Sequence, residues 1–435
     1  MKRALAAVLF LLLASIEASA FQQPLTLADC YRLALKRSEE IAVRAELIEE
    51  TEGRFMQSLA AILPKLFFHS TDKRQDRSGG STSAFTRHKL PERKFTLTQP
   101  LFSGFKEFAA MRGSKSERRL REQEKRRAEQ LLLVDVSDAF HLLIQQREEI
   151  QALDTTRWAL RERIRELEER ERIGRSRASE LVAVRAQLYR VEAEWEQAQT
   201  AERVAAQLLQ FLTGLSAVGE LADPGPALPE PHPEETYLTQ APAHPNVKAA
   251  EQSLDIARQQ LKVARSKFFP TADAEANYYV ERSGAAEVVK WDASLNVDVP
   301  IFQGGEAVGA TREASSVLRQ SELKLAQARR TTDQEIRDAF TEYDGALGRV
   351  RALTQALEAT EESYQMQVEE YRLNLVSNLD VLEALQLLQD ARRELIQALY
   401  ESHRLYWKLE ANSSDTLAAF AHSTAAPAAA KGSAG

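Results

Sequence analysis

The 435-residue chain is poor in cysteine, glycine and aromatic residues, and it has no strong excess of one charge. A single cysteine, Cys30, excludes an intramolecular disulfide framework and any metal site built from several thiolates. The 57 basic and 64 acidic residues give a net charge of −7, which argues against a nucleic-acid partner. The 17 glycines and 7% aromatic residues accompany heavy use of Ala, Leu, Glu, Arg and Gln. This composition favours long helices over the fold of an ordinary enzyme.

Long apolar runs are also missing, except at the N-terminus. Two basic residues precede an apolar stretch over residues 4–14, and small residues then lead up to Ala20. This pattern predicts a signal peptide over residues 1–20 that is cleaved between Ala20 and Phe21. No later stretch reaches about eighteen apolar residues, so the sequence predicts no membrane-spanning helix in the mature chain.

Cys30 raises a second hypothesis about the N-terminus, which is lipidation. Residues 27–30 faintly resemble a lipoprotein cleavage box, but Asp29 does not suit the position beside the cysteine. The box also lies well beyond the apolar stretch. The sequence therefore favours a cysteine inside an ordinary helix, and it leaves open whether Cys30 is ever lipidated.

The rest of the chain consists of two copies of one sequence repeat. Such repeats have to be recognised before a fold is assigned. A shift of 200 residues places Pro100 on Pro300 and Gly104 on Gly304. Both copies of this Pro-Leu/Ile-Phe-x-Gly sequence follow a strand pattern and precede a helix pattern. They therefore predict turns at a junction between strand and helix.

The repeat and the composition divide the mature chain into four segments. The first repeat covers residues 21–213 and the second covers 246–411. Between them, residues 214–245 hold seven of the fourteen prolines and are predicted to be an irregular linker. Residues 412–435 are rich in Ala and Ser without periodicity, which predicts a disordered tail.

Within each repeat the spacing of hydrophobic residues changes from helical to strand-like and back to helical. Together with the helix break, this predicts a helix, a β-hairpin, a long helix and a short helix in that order. The first helix is predicted over 27–63, and the hairpins over about 65–100 and 271–300. Strands of about ten residues with alternating apolar and polar side chains are typical of tilted transmembrane strands. By itself, however, the alternation favours a half-buried hairpin of a soluble sandwich.

The helices change that preference. Proline-free helical patterns run over 104–172 and 305–372, and each would span about 100 Å at a rise of about 1.5 Å per residue. Each ends at a short break, at 173–178 or 373–378, before a helix resumes. In each copy the summed length of the two shorter helices equals about the length of the long helix. Hydrophobic residues recur three and four positions apart along these helices, as they do in coiled coils. A long hollow cylinder needs such geometry, whereas a globular protein has little use for it.

The opening Leu25-Thr26-Leu27, the doubled Pro-Leu/Ile-Phe-x-Gly turns and the duplicated hairpin and helices resemble the TolC-type outer-membrane efflux family. The resemblance covers about residues 24–411. It implies a mainly α fold with a membrane β-barrel, in which duplicated long antiparallel coiled-coil helices form a tunnel. It also implies a homotrimer whose protomers each give four strands to a twelve-stranded barrel.

The same resemblance implies a location and a function. The protein is expected in the outer membrane of a Gram-negative bacterium, with its helical tunnel in the periplasm. It would be the exit duct of a tripartite efflux or type I secretion system, fed by a periplasmic adaptor and an inner-membrane pump. Such a duct is not an enzyme and needs no cofactor. The sequence leaves open the cargo, the pump and the adaptor.

Physical reasoning agrees with these expectations. The four strands of one protomer cannot close a barrel, and lipid does not tolerate open sheet edges, so the strands require oligomerisation. Polar side chains of the last strand would then face the lumen: Asp292, Asn296 and Asp298. Its apolar side chains would face outer-membrane lipid: Leu295, Val297 and Val299. Trp291 suits the aromatic belt at a membrane interface.

In the resembled family, the helix break of the second copy holds a gate formed by a tyrosine, an arginine and two acidic residues. Tyr371, Asp380 and Glu383 match the tyrosine and the acids, and Glu180 is the first-copy equivalent of Asp380. Asp380 and Glu383 lie three apart on one helix face, so a trimer would place six carboxylates round one constriction. Such a ring attracts cations and repels itself. The alternative is that these acids are solvated residues at a helix N-terminus.

The gate departs from the family pattern at one position. Val376 stands where the arginine is expected, which puts a latch of tyrosine, arginine and aspartate in doubt. Arg175 and Arg177 in the first-copy break are candidate counter-charges.

Two other classes of protein stay open at this point. A periplasmic adaptor also has a signal peptide and a long helical hairpin, but normally one hairpin between strand-rich segments. A structural coiled-coil protein whose β-hairpins cap a rod would have no channel activity. The scattered histidines have no metal-ligand spacing, and no Ser/His/Asp or paired-acid constellation predicts hydrolysis.

Overall fold

The computed structural model describes residues 24–75, 89–283 and 287–413. The predicted signal peptide, its cleavage pair Ala20 and Phe21, and all but two residues of the predicted tail lie outside the described residues. The chain forms two compact units, each assembled from separate stretches: residues up to Ile41, Arg127–His244 and Thr331 onwards in the first, and Ala42–Arg126 and Pro245–Arg330 in the second.

Each copy contributes its own set of helices and strands. Within the described ranges the first copy contains α1 (Leu27–Arg37), α2 (Glu39–Ala60), β1 (Lys65–Arg74), β2 (Lys89–Ser103), α3 (Lys106–Arg172) and α4 (Ala178–Thr213). The second copy contains α5 (Glu234–Gln240), α6 (Pro245–Ser266), β3 (Thr271–Arg282), β4 (Trp291–Asp298), α7 (Glu306–Arg372) and α8 (Asn378–Ser413). Among the helices in these ranges, none combines the length and the apolar character needed to cross a bilayer.

The helix predicted over 27–63 is in fact two helices, because Ser38 ends one and begins the next. Its backbone N–H closes the last turn of α1 at 2.8 Å, and its Oγ accepts from the N–H of Ile41 at 3.3 Å. At the other end of α1, Thr26 and Asp29 form a capping box. The N–H of Asp29 donates to Thr26 Oγ1 at 3.2 Å, and the N–H of Thr26 donates to Asp29 Oδ2 at 3.1 Å.

The linker, predicted to be irregular over 214–245, contains regular structure. Helix α5 and a 3-10 turn, Ala241–Ala243, occupy its C-terminal part. Its N-terminal part pairs with Leu25, whose N–H donates to the Glu220 carbonyl at 2.9 Å and whose carbonyl accepts from the N–H of Ala222 at 2.8 Å. Prolines exclude a continuous helix here but permit these short hydrogen-bonded pieces.

The long helices α3 and α7 both have 67 residues, and both end in the same way. After α3 the N–H of Arg175 donates to the Arg170 carbonyl at 2.8 Å, and after α7 the N–H of Leu375 donates to the Glu370 carbonyl at 2.9 Å. A left-handed residue closes each helix: Gly174 with φ 74° and Asn374 with φ 57°. Glycine and asparagine are the residues that adopt this conformation most readily, which explains why the two copies break at the same place.

The buried core of the first unit packs α1 against α3 and α4. Phe140 of α3 and Leu209 of α4 are almost fully buried there, and Tyr31 of α1 lies beside them. Cys30 has no exposed surface in this cluster, and burial raises the pKa of its thiol to about 12. Cys30 is therefore an apolar packing residue.

The four strands form one antiparallel sheet in the order β1-β2-β3-β4, so the two copies meet at the β2–β3 pair. The strand register sorts the side chains onto two faces. One face carries an aromatic row that crosses all four strands: Phe68, Phe95, Tyr278 and Trp291. Further along this face lie exposed aliphatic residues: Leu66, Leu97, Leu295 and Val297. The opposite face carries Phe67 but is otherwise mainly polar: Thr96, Asp273, Glu275, Asn277, Asp292 and Asn296.

Candidate functional site

The two helix breaks lie in the first unit, where the ends of α3 and α7 and the starts of α4 and α8 share a hydrophobic cluster. Leu167, Val184 and Val381 are buried in it. Tyr371 belongs to the same cluster and is 6% exposed, and Val376 packs against it from the break. The valine that replaces the expected arginine is therefore accounted for by apolar packing.

Two arginines of α3 lie over the ring of Tyr371. The guanidinium carbon of Arg163 is 3.8 Å from the ring centroid, and that of Arg170 is 4.7 Å from it. At such distances the negative face of an aromatic ring attracts a cation. The counter-charges at Tyr371 thus come from the body of α3. Arg175 and Arg177, the candidates in the break itself, are exposed and form no ion pair within the described residues.

The carboxylate of Glu166 pairs with both arginines and offsets one of their two positive charges. Glu166 accepts from Arg163 Nη1 at 2.7 Å through Oε2, and its Oε1 lies 2.8 Å from Arg170 Nη2. Arg163 Nε also donates to Asn378 Oδ1 at 3.0 Å, which connects α3 to the first residue of α8. Sequence reasoning missed all four of these residues. The signal was the spacing of Arg163, Glu166 and Arg170, which places them on one face of α3.

Asp380 lies at the start of α8, where it forms a capping box with Ser377. Its Oδ2 accepts from the Ser377 N–H at 2.7 Å and from the Ser377 Oγ at 2.7 Å. The hydrogen bond from the Ser377 hydroxyl is the main cause that holds the pKa of Asp380 below its usual value. The Asp380 carboxylate is thus ionised and exposed at neutral pH.

Glu383 is exposed one turn beyond Asp380 on α8. In the first copy the Glu180 carboxylate accepts from Ser176 Oγ at 2.7 Å, so it is held at the corresponding helix start. The structure therefore separates the four predicted gate residues. Tyr371 is enclosed among cations, whereas the three acids lie at or near the surface of the first unit. The surface near the two breaks therefore carries both signs of charge, because Arg175 and Arg177 are exposed as well.

The predicted junction turns differ between the copies. Pro100 lies within β2, at an irregularity in its register with β3, whereas Pro300 follows the end of β4. Gly104 has φ 65°, and a Cβ there would lie 2.8 Å from the Ser266 carbonyl oxygen at the end of α6. Gly304 has φ 58° with open space around its Cβ position. Both turns require a left-handed residue, but the first also requires the absence of a side chain.

A family model described as outer membrane efflux protein matches residues 30–215 and 241–411. The chain belongs to this family. The alkaline protease secretion protein AprF of Pseudomonas aeruginosa is 24% identical over 397 residues, which cover 87% of this chain and 82% of AprF. The proteases secretion protein PrtF of Dickeya chrysanthemi is 25% identical over 399 residues, which cover 87% of this chain and 86% of PrtF.

Solved structures have the same fold. The outer membrane protein VceC of Vibrio cholerae has a TM-score of 0.78 at 18% identity, over 89% of this chain and 96% of VceC. The fold is that of outer-membrane channels with a β-barrel and a helical tunnel. Members of the family are trimeric channels that work with an adaptor and an inner-membrane pump.

The prediction of an outer-membrane exit duct for efflux or secretion is confirmed, and the protein is not an enzyme. Family membership also decides against the two other classes left open by the sequence, a periplasmic adaptor and a structural rod without channel activity.

Proposed function

We propose that the chain assembles as a homotrimer and forms the exit duct of a type I secretion system, with a periplasmic adaptor and an inner-membrane pump as its partners. The observation that carries this proposal is the four-stranded sheet. Within the described residues β1 and β4 each pair along one edge only, and the apolar face is exposed. Because lipid does not tolerate open edges, the sheet requires further sheets beside it. Three copies would close a twelve-stranded barrel, with the polar face toward a water-filled lumen.

The cargo class that we propose is a polypeptide. Support comes from the extent of the matches to relatives named for protease secretion, which cover 87% of this chain. A secreted polypeptide needs a wide and polar passage, and the polar face of the sheet offers carboxylates and amides: Asp273, Asn277, Asp292 and Asn296. The Asn277 Nδ2 donates to Asp292 Oδ1 at 2.9 Å, so this face is ordered by its own hydrogen bonds.

We place the gate of this duct at the helix breaks. In a trimer, the exposed carboxylates of Asp380 and Glu383 and the half-buried carboxylate of Glu180 would approach their symmetry equivalents, and their mutual repulsion would favour opening. The arginines around Tyr371 hold α3 and α7 together within one protomer. Opening would therefore separate the acidic surfaces of neighbouring protomers, while the cluster around Tyr371 stays packed.

Two neighbouring residues of β4 provide the test, because they lie on opposite faces of the sheet. Leu295→Arg puts a charge on the apolar face, where it is expected to cost about 2–4 kcal/mol at the middle of a bilayer. Asn296→Arg puts the same charge on the polar face. We expect Leu295→Arg to abolish the outer-membrane trimer, and Asn296→Arg to assemble and to conduct in a planar bilayer with altered ion selectivity. A monomeric wild-type protein without conductance, or equal effects of the two variants, would contradict the channel.

Secretion is tested separately from conductance. Cells that carry the cognate pump and adaptor should lose export of the polypeptide when this chain is deleted, and should regain it with the wild-type chain. Restored export of small toxic compounds alone would favour drug efflux over polypeptide secretion.

A further inference from the structure

The apolar face of the sheet continues beyond the strands into a second group of aromatic residues. Phe102, near the end of β2, pairs with Ala272 of β3 and so belongs to the same face as Val297. The ring of Phe105 packs edge-on against Phe102 at 5.1 Å, and the ring of Phe108 follows at 6.5 Å. The aliphatic band of the sheet is thus bracketed by aromatic residues at both ends, as at the two interfaces of a membrane.

A pocket of about 550 Å³ lies at this second aromatic group, within the second unit. Phe105, Phe108 and Phe269 form its apolar part, and they are 63%, 56% and 50% exposed. Its polar part contains three cationic side chains: Arg112, Lys262 and Arg265. No acidic residue of the described chain lines it.

The three cations of this pocket lack the partners that nearby cations have. Arg118 of α3 pairs with Glu122 at 3.2 Å, and Arg258 of α6 pairs with Asp255 at 2.9 Å. Within the described residues, none of the three pocket cations pairs with a carboxylate, and Lys262 Nζ donates to the Gln259 amide oxygen at 3.3 Å. In a chain of net charge −7, three such cations in one pocket form a local positive site.

The pocket lies away from the two strands whose edges are open in one protomer. Its residues come from the helix that follows β2 and the helix that precedes β3, so it lies beside the central strand pair. The edges that need neighbouring protomers are β1 and β4. The two strands nearest the pocket in the chain, β2 and β3, thus have no open edge to offer a second protomer.

We propose that this pocket binds the headgroup of an anionic phospholipid in the leaflet of the outer membrane that faces the periplasm. The inference rests on the sheet standing in the outer membrane, as family membership requires. The phenyl rings pack against the glycerol and the upper acyl chains, while Arg112, Lys262 and Arg265 contact the phosphate. Basic pockets at the end of an apolar membrane segment recognise anionic headgroups in this way, with the arginine and lysine stems lying along the apolar surface.

The test measures lipid binding to the intact trimer. The purified trimer in neutral detergent is titrated with dioleoyl phosphatidylglycerol or dioleoyl phosphatidylcholine, and native mass spectrometry counts the bound molecules. We expect preferential binding of up to one phosphatidylglycerol per protomer. The variant Arg112→Gln/Lys262→Gln/Arg265→Gln should lose this preference by about five-fold or more, and Arg265→Gln alone by about two- to five-fold. The matched control Arg258→Gln removes a paired cation of the same helix outside the pocket and should bind as the wild type does.

Several outcomes would overturn the proposal. No preference for phosphatidylglycerol in the wild type, an unchanged preference in the triple variant, or an equal loss in Arg258→Gln would each exclude the site. Displacement of the lipid by millimolar glycerol phosphate or inorganic phosphate would make it a site for free anions. Dissociation of the triple variant into monomers would make it a subunit contact. Single-channel conductance of the same variant reports on the lumen, so loss of the lipid site is distinguished from loss of the channel.

Discussion

The guanidinium carbon of Arg163 in α3 lies 3.8 Å from the centroid of the Tyr371 ring in α7, close to the breaks that end both long helices. Glu166 pairs with both Arg163 and Arg170, so it offsets one of the two positive charges beside this largely apolar cluster. The family pattern calls for an arginine in the break itself, but here the cations come from the neighbouring helix. The break is thus stabilised by contacts within the protomer, and the acids Asp380 and Glu383 stay exposed beside it.

We expect Arg163→Gln to destabilise the helical unit by about 2 kcal/mol, because it removes a cation–π contact and a charged hydrogen bond to Asn378. The Arg163 side chain is 11% exposed, so solvent screens these contacts weakly. Tyr371→Phe keeps the ring and should change stability by less than about 0.5 kcal/mol. The measurement is urea unfolding of the trimer followed by circular dichroism. The control is Arg165→Gln, whose side chain is 73% exposed, and a loss as large as that of Arg163→Gln there would refute the special role of Arg163.

The gate proposal predicts the behaviour of a double variant. Asp380→Ala with Glu383→Ala removes six carboxylates from a trimer, and it should raise single-channel conductance or weaken block by multivalent cations, since the ring that binds them is gone. Glu313→Ala with Glu322→Ala serves as the control, because these acids are exposed on α7 at a distance from the break. Unchanged conductance and unchanged cation block in the Asp380/Glu383 variant would place the gate elsewhere.

Acid sensitivity follows from two buried histidines of the first unit. The rings of His141 and His403 stack at 5.3 Å, and His403 Nε2 donates to the Gly225 carbonyl at 3.0 Å. Burial lowers the pKa of His141 from 6.5 to about 3, and burial also lowers the pKa of His403. The unfolded chain therefore binds more protons below about pH 6.5 than the folded chain does.

This contribution to stability is complete above about pH 6.5 and is lost as the pH falls toward the folded pKa values. The melting temperature should thus decline between about pH 6.5 and pH 4. We expect His141→Asn/His403→Gln to reduce this slope, although the variant starts from a lower melting temperature. The remaining slope comes from His244, whose pKa burial lowers to about 4. His69→Gln, which changes an exposed residue of β1, should leave the slope as it is. A wild-type melting temperature that is constant over this range would contradict the assignment.

The two copies of the junction turn supply a matched pair of glycine variants. Gly104→Ala places a methyl group 2.8 Å from the Ser266 carbonyl oxygen and forces alanine into the left-handed region. Gly304→Ala also forces alanine into the left-handed region, at a cost of about 1–2 kcal/mol, but its methyl group meets no other atom within 4 Å. We expect Gly104→Ala to reduce the yield and the melting temperature of the trimer more than Gly304→Ala does. Equal losses would indicate that backbone conformation alone governs both turns.

The sequence predicted the long helices α3 and α7 to within two residues at either end, because they lack proline and keep a helical hydrophobic period. It missed the interruption at Ser38, since one serine that caps two helices does not disturb that period. The gate shows a similar limit. Tyr371 and Asp380 were gate candidates because they match the pattern of the resembled family, whereas Arg163 was missed because it is distant in sequence and only folding brings it to the ring.

What the amino-acid order determined by itself was local and periodic: the duplication, the helix lengths, the strand alternation and the left-handed closures at Gly174 and Asn374. The tertiary structure decided which strands pair, which cations reach Tyr371, and which face of the sheet collects its aromatic row. It also brought Arg112, Lys262 and Arg265 to the lining of one pocket. The physical reason is that periodicity and backbone conformation depend on near neighbours along the chain. Pairing register and charge clusters depend instead on residues far apart in sequence, which packing alone brings together.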